Sequence, residues 1–317
     1  MKRLALLASL FAAGMAAAGL EAQAPPAQPP VSDIEQVSER VWMIYGEGGN
    51  TTVFVRGDGV ALVDTKLANN GAAILAQVRT VTDKPVTLIV NTHSHGDHVG
   101  SNAELARGGE IEIVAQANTS ARMETMANVG PPDLTFDDRM IHGQGADRIE
   151  LYWFGAGHTD GDAFVVFPAE RVMAAGDIFQ LMAMPRVDRA SGGSALALPV
   201  TLTQAQDTIR GVDTVIPGHD QDKRSWAEFR AYVSFTRALA ETARNTQRMG
   251  GTAEQALTAL ERNPNFLLFL AGEPGAANTP RTRALAGQRA SKCAMPRNST
   301  TSSRPIQRCP AGASRSP

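Results

Sequence analysis

The segment Asn91-Thr92-His93-Ser94-His95-Gly96-Asp97-His98 places four side chains of metal-binding type within six residues. Three further segments carry the same chemistry: Gly155-Ala156-Gly157-His158, Gly176-Asp177 and Pro217-Gly218-His219. Five of the six histidines take part, and only His142 is left over. A lone histidine would be read as an ordinary surface or core residue. The grouping in His-x-His-x-Asp-His, with three more glycine-flanked ligands downstream, points instead to a metal centre. Imidazole and carboxylate donors together suit zinc, with iron or manganese as alternatives. Divalent cations in such a site lower the pKa of a shared water towards neutrality, so that hydroxide is available as a nucleophile.

The elements that must position these side chains are short strands, each ending in a polar loop. Val41–Tyr45 and Thr52–Arg56 are β-rich, and Gly57-Asp58-Gly59 is a hairpin turn signal before Val60–Val63. Val86–Val90 (VTLIV) is the continuous apolar run of a strand buried on both faces. Ile111–Ala115, Ile149–Phe154, Asp162–Phe167, Val172–Ala175 and Thr214–Ile216 repeat the pattern. Helices are expected over Ala72–Val81, Leu202–Arg210 and Asp222–Met249, the last stopping at Gly250-Gly251. Thr252-Ala253-Glu254-Gln255 matches a capping box. Strands with interspersed helices predict a layered α/β fold. The metal-type residues follow the strands ending at Val90, Phe154, Ala175 and Ile216, and the carboxyl ends of strands are where α/β folds open their ligand crevices.

On these motifs the chain resembles the metallo-β-lactamase superfamily. The resemblance covers about residues 37 to 220 and rests on His93-x-His95-x-Asp97-His98, Gly157-His158-Thr159, Gly176-Asp177, Pro217-Gly218-His219 and the strand ending in Asp64. It implies a four-layer αββα sandwich and two zinc ions. His93, His95 and His158 would hold the first ion, and Asp97, His98 and His219 the second. Asp177 would bridge them, as in the carboxylate-bridged dinuclear branch of glyoxalase II, lactonase and phosphodiesterase type. Asp97 would orient the hydroxide and relay a proton, and Asp64 would hold the histidine loop from behind. The best-known β-lactamases carry cysteine or serine at the bridging place, and a nearby lysine that grips the antibiotic's carboxylate. Here Asp177 and Gln180 stand at those two places, and Gln180 supplies no charge. Candidate substrate contacts are Gln180, Arg186 and Arg189, with Thr119–Met140 expected to form a mobile flap. Asp160 and Asp162 are read as turn residues rather than ligands.

The remainder bounds the function. Apolar residues make up 43% and charged residues 20%, which suits a globular core. The net charge of −2 and the absence of a basic groove in the catalytic region give no reason to expect a nucleic-acid partner. The only cysteines, Cys293 and Cys309, exclude a cysteine-based zinc finger and a disulfide framework. Residues 1–24, with Lys2-Arg3, an apolar run and Ala22-Gln23-Ala24, read as a signal peptide rather than a membrane anchor, which needs about 20 strongly apolar residues. The expected location is therefore periplasmic or secreted. Residues 25–36 are expected to be a disordered leader, 37–272 the catalytic domain, and 273–317 a basic, disordered or frame-shifted tail. The expected activity is hydrolysis of a small-molecule cyclic amide, lactone, ester or thioester, β-lactams included. Phosphodiester cleavage and a non-catalytic periplasmic metal-binding role are the alternatives.

Overall fold

The computed structural model describes residues 34–270 apart from Glu47 and Gly109. The expected signal peptide and the tail beyond residue 272 lie outside the described residues. The chain divides into two compact units, one of Met1–Leu181 with Pro185–Arg237 and one of Met182–Met184 with Ala238–Pro317.

The first unit contains two sheets. Seven strands form the first in chain order: β1 (Ile34–Gln36), β2 (Val41–Ile44), β3 (Thr51–Val55), β4 (Val60–Val63), β5 (Val86–Asn91), β6 (Glu112–Gln116) and β7 (Leu134–Phe136). The first three pairings are antiparallel, and those from β4 through β7 are parallel. Six strands form the second, in spatial order β13-β12-β11-β10-β9-β8: β8 (Arg139–His142), β9 (Ile149–Tyr152), β10 (Phe164–Phe167), β11 (Val172–Gly176), β12 (Thr214–Pro217) and β13 (Arg224–Ser225).

Strand alternation explains the layers, because successive side chains point to opposite faces. Met43, Phe54, Ala61, Val63, Leu88 and Val90 of the first sheet share one buried cluster with Leu151, Val165, Phe167, Val172 and Ile216 of the second. Phe54 and Phe167 meet across it at 4.8 Å between ring centroids. The alternate positions Ile44, Val53, Leu62 and Ile89 pack outward with Ile74 and Val78 of helix α1 (Gly71–Val78). Short helices α2 (Gly96–Val99), α3 (Asn102–Leu105) and α4 (Ala117–Met123) follow the parallel strands. Behind the second sheet stand α5 (Leu198–Thr208) and the start of α6 (Trp226–Arg248), where Phe229 and Tyr232 lie 5.5 and 4.9 Å from the Phe179 ring. The result is the expected αββα sandwich. In the second unit, α7 (Ala253–Glu261) opens on the capping box read from the sequence, with Thr252 and Gln255 bonded reciprocally, and α8 (Leu267–Leu270) ends the described chain.

Two expectations are corrected. Residues 34–36, assigned to the leader, form β1, with Ile34 opposite Ile44, because their apolar side can cover the first sheet's outer face. The expected flap over Thr119–Met140 instead contributes α4, β7 and the start of β8, and Phe136 is buried in the core between the sheets.

Candidate metal centre

His93, His95, His158 and His219 lie on loops that follow strands, Asp97 and His98 on the one-turn helix α2 that follows β5, and Asp177 opens a 3-10 turn directly after β11. One atom from each of His93, His95, His158 and Asp177 forms a group within 4.8 Å, and Asp97, His98 and His219 form a second group by the same measure. Asp177 lies between them. Its Oδ1 is 3.2 Å from His98 Nε2 and 3.4 Å from His219 Nε2, whereas its Oδ2 is 3.6 Å from His158 Nε2. Asp97 Oδ2 is 3.2 Å from His219 Nε2. All seven residues expected to bind metal are thus brought together.

The rings are oriented from outside. A ring offers a lone pair at one nitrogen only when its proton is on the other, which must find an acceptor. His98 Nδ1 donates to Asp64 Oδ2 at 2.7 Å. The Thr92 hydroxyl donates to the same oxygen at 2.7 Å and accepts from His93 Nδ1 at 3.0 Å. The Thr92 backbone N–H donates to Asp64 Oδ1 at 2.8 Å. Asp64 thus bonds both Thr92 and His98, and its grouping with His93 and His98 is accounted for by these bonds. It sits in the left-handed backbone region, at φ 63°, which aspartate tolerates better than most residues. His158 Nδ1 donates to the Arg186 carbonyl at 3.0 Å, and His95 Nε2 to Asp188 Oδ2 at 2.9 Å.

Glycines allow the close approaches. Gly176 has φ 55° and ψ −151°, and a Cβ there would stand 2.5 Å from Thr92 Oγ1. A Cβ on Gly49 would overlap the His98 ring. The Asn50 side-chain amide donates to the carbonyls of Pro217 and Asp220, pinning the turn that carries His219. The buried Lys66 ammonium donates to the carbonyls of Ile44, Gly46 and Gly49, at the base of the loop that abuts Asp97 and His98.

The electrostatics call for cations. Burial opposes ionisation of Asp177, yet the His98 charge and the bonds from His219 and His98 hold its carboxyl well below the usual range. Burial also opposes charge on His98, but Asp177 and Asp64 outweigh it and raise its pKa well above the ordinary value. His219, also opposed by burial, is pushed up to about 9 by Asp177 and Asp97. Protons drawn to His98 and His219 offset the charge of Asp177, Asp64 and Asp97. His93, by contrast, is kept neutral by burial and by the neighbouring His98 charge. Its Nε2 is buried with no hydrogen-bond partner. An orphaned buried acceptor of this kind is costly unless an ion satisfies it, so the residues present fit bound metal.

Gln180 directs its amide to Asp177 Oδ2 at 2.9 Å, so its amide is engaged by that carboxylate. Arg186 reaches the site through its carbonyl, while its side chain and that of Arg189 are exposed. Asp160 is paired with Arg122 and the buried Asp162 bonds Thr159, and neither joins a ligand group. His142 bonds Glu112 on the outside of the fold. Sequence reasoning missed Asp188, Thr92, Asn50 and Lys66 as supports of the site. Among these, only Thr92, adjacent to the first histidine, carried a signal that could have been used.

Fold and donor set together define a metallohydrolase scaffold. The family model of the metallo-beta-lactamase superfamily matches residues 44–219, more than half of the chain. The chain belongs to this superfamily and is a metal-dependent hydrolase. It is 22% identical over 197 residues to metallo-beta-lactamase type 2 of Bacillus sp. (strain 170), covering 59% of this chain and 75% of that protein. It is 32% identical over 84 residues to linear primary-alkylsulfatase of Pseudomonas sp. (strain ATCC 19151), covering 25% of this chain and 16% of the relative. The fold is also that of the metallo-beta-lactamase FIM-1 from Pseudomonas aeruginosa in its mono-zinc form, with TM-score 0.57 and 18% identity over 67% of this chain and 96% of that one.

Proposed function

We propose that this protein is an exported dinuclear zinc hydrolase that opens a carbonyl substrate: a lactone, ester, thioester or cyclic amide, with β-lactams in range. The observation that carries this reading is Asp177, whose two oxygens face the two histidine groups separately. His93, His95 and His158 would hold one ion, Asp97, His98 and His219 the other, with Asp177 between. Zinc pairs well with this nitrogen and oxygen set, and a similar fold is known in a mono-zinc form. The ions would supply a water acidified towards neutrality and polarise the carbonyl being attacked.

The chain's own residues do the rest. Asp97 is about one-third exposed, so it stands where water and substrate arrive. Burial would raise its pKa, but the His219 bond outweighs this and keeps the carboxylate ionised. Asp97 Oδ orients the attacking water and takes its proton for delivery to the leaving group. Asp64 and Thr92 hold the rings fixed, so that little reorganisation is needed during reaction. Gln180 steadies the bridging carboxylate and leaves no cation of its own at the place where the familiar lactamases grip a substrate carboxylate. This favours a neutral acyl substrate over an anionic antibiotic. Export is supported by the basic, apolar and small-residue pattern of residues 1–24.

The test is turnover by the zinc-loaded protein of a lactone, a thioester, nitrocefin, bis-p-nitrophenyl phosphate and an alkyl sulfate, the last prompted by the alkylsulfatase match. Lactone or thioester hydrolysis at kcat/KM at least tenfold above the others supports the reading. Activity confined to the phosphodiester or the sulfate replaces it. No turnover with metal bound favours a binding role. His95→Ala and Asp97→Ala each abolish turnover if the assignment is right, and full activity in either rejects it.

A further inference from the structure

The three histidines around the first ion position are not supported alike. His93 is held through Thr92 and Asp64, inside the sheet. His158 and His95 are both held by one short stretch of the loop after Asp177: the Arg186 carbonyl accepts from His158 Nδ1, and Asp188 Oδ2 accepts from His95 Nε2. The Asp188 backbone N–H closes the arrangement by donating to the His158 carbonyl at 2.8 Å. We propose that Arg186–Asp188 is a positioning strap for the first ion, in which Asp188 fixes His95 in the tautomer that presents Nδ1 to the cluster.

The geometry supports this independently. His95 Nδ1 is the nitrogen facing the cluster, 3.1 Å from His158 Nε2. A ring held at Nε2 by a carboxylate can offer nothing else there. The strap is itself anchored. Gly193 N–H donates to the Asp188 carbonyl at 2.8 Å, and Ser194 N–H to the Gly157 carbonyl at 2.9 Å. A Cβ on Gly193 would overlap the His158 carbonyl, so the chain can pass this close only with glycine there. Asp160 N–H donates to the Ser191 carbonyl, and the Arg122 guanidinium bonds both Asp160 and the Ala190 carbonyl. Among the described residues, neither Arg186 nor Asp188 bonds Asp97, His98 or His219. The support is therefore specific to one of the two ion positions, and removing it should separate them.

This inference rests on the metal-centre reading, so its test includes a metal-free arm. Histidine ring nitrogens are followed by 15N NMR in the metal-free full-length protein at about pH 8, where neutral tautomers are resolved. The ring signals are then followed through a zinc titration. In the parent, His95 should carry its proton on Nε2, and in Asp188→Ala it should be a mixture. On titration, the His95 and His158 rings of Asp188→Ala should respond at roughly 10–100-fold higher free zinc, with His98 and His219 unmoved. Asp188→Asn, whose amide oxygen still accepts, should recover much of the loss. An Nδ1–H tautomer for His95 in the parent overturns the proposal. So does an Asp188→Ala protein that titrates like the parent, or that weakens both ion positions equally. If the parent's rings ignore zinc altogether, the metal reading fails, and the His95 tautomer still decides for or against the strap.

Discussion

Thr92→Val is the sharpest probe of how the site is held. The Thr92 hydroxyl links two histidines, accepting from His93 Nδ1 and donating to the Asp64 oxygen that also receives His98 Nδ1. Valine keeps the shape and removes only this link, and the facing Gly176 has no side chain to obstruct the new methyl. Asp64 retains its bonds from the Thr92 backbone and from His98, so it loses one hydrogen bond to a charged group, about 1.5–3 kcal/mol. His93 is fully buried, with no water available to Nδ1. In metal-free protein the ring must then carry its proton on Nδ1, whose partner is gone, or on Nε2, which has none, so the stability loss should reach about 3–5 kcal/mol. A proton on Nε2 occupies the nitrogen that should bind metal, so zinc affinity should fall about 10–100-fold. Urea unfolding of the metal-free protein and zinc competition against a chromophoric chelator measure the two effects. Thr92→Ser should restore both. A Thr92→Val protein within 0.5 kcal/mol of the parent, with unchanged zinc affinity, would refute the tautomer argument.

Gly176→Ala should cost about 2–5 kcal/mol, from a disfavoured backbone and from a Cβ 2.5 Å from Thr92 Oγ1. A urea midpoint equal to that of the parent would contradict this. Glu170 has its carboxyl held low: burial opposes ionisation, but bonds from Ser38 and Arg40 outweigh it. A depressed folded pKa means stability that is present above the ordinary value of 4.5 and lost as pH falls through the folded value. Glu170→Gln should therefore be less stable at neutral pH and lose less on acidification, and parallel stability–pH curves for the two proteins would exclude that role. Asn50→Ala should release the turn carrying His219 and weaken zinc binding at the Asp97, His98 and His219 group by about tenfold. Chelator competition resolving two affinities would show whether that group alone is affected.

The central strands and the site's ligands were readable for one physical reason. A strand buried on both faces must be continuously apolar, so VTLIV and its counterparts stand out, and an abrupt polar residue after such a run marks the sheet's carboxyl edge. Asp64 follows that rule directly, and His93, Asp177 and His219 stand within two residues of their strand ends. The peripheral strands do not. β7 and β8 are largely exposed and mix polar with apolar positions, so they read as loop, and β1 is hidden behind a proline-rich stretch. The supports of the ligands were not readable either. Asp188 stands 93 positions from the ring it holds, in a loop without periodicity. Gln180 looked like a substrate contact because only the folded chain shows its amide bonded to Asp177. Local pattern identifies the atoms that face the ions, whereas their orientation depends on contacts that form only in the folded chain.

The most direct measurement is the metal content of the full-length protein, stripped by chelator, reconstituted with zinc and analysed by elemental analysis after removal of free ion. Two zinc ions per chain, falling to one or fewer in Asp177→Ala, is the result expected of a carboxylate shared between two histidine groups. A parent that retains no stoichiometric zinc, iron or manganese, or an Asp177→Ala protein that still holds two ions with parental affinity, would contradict it.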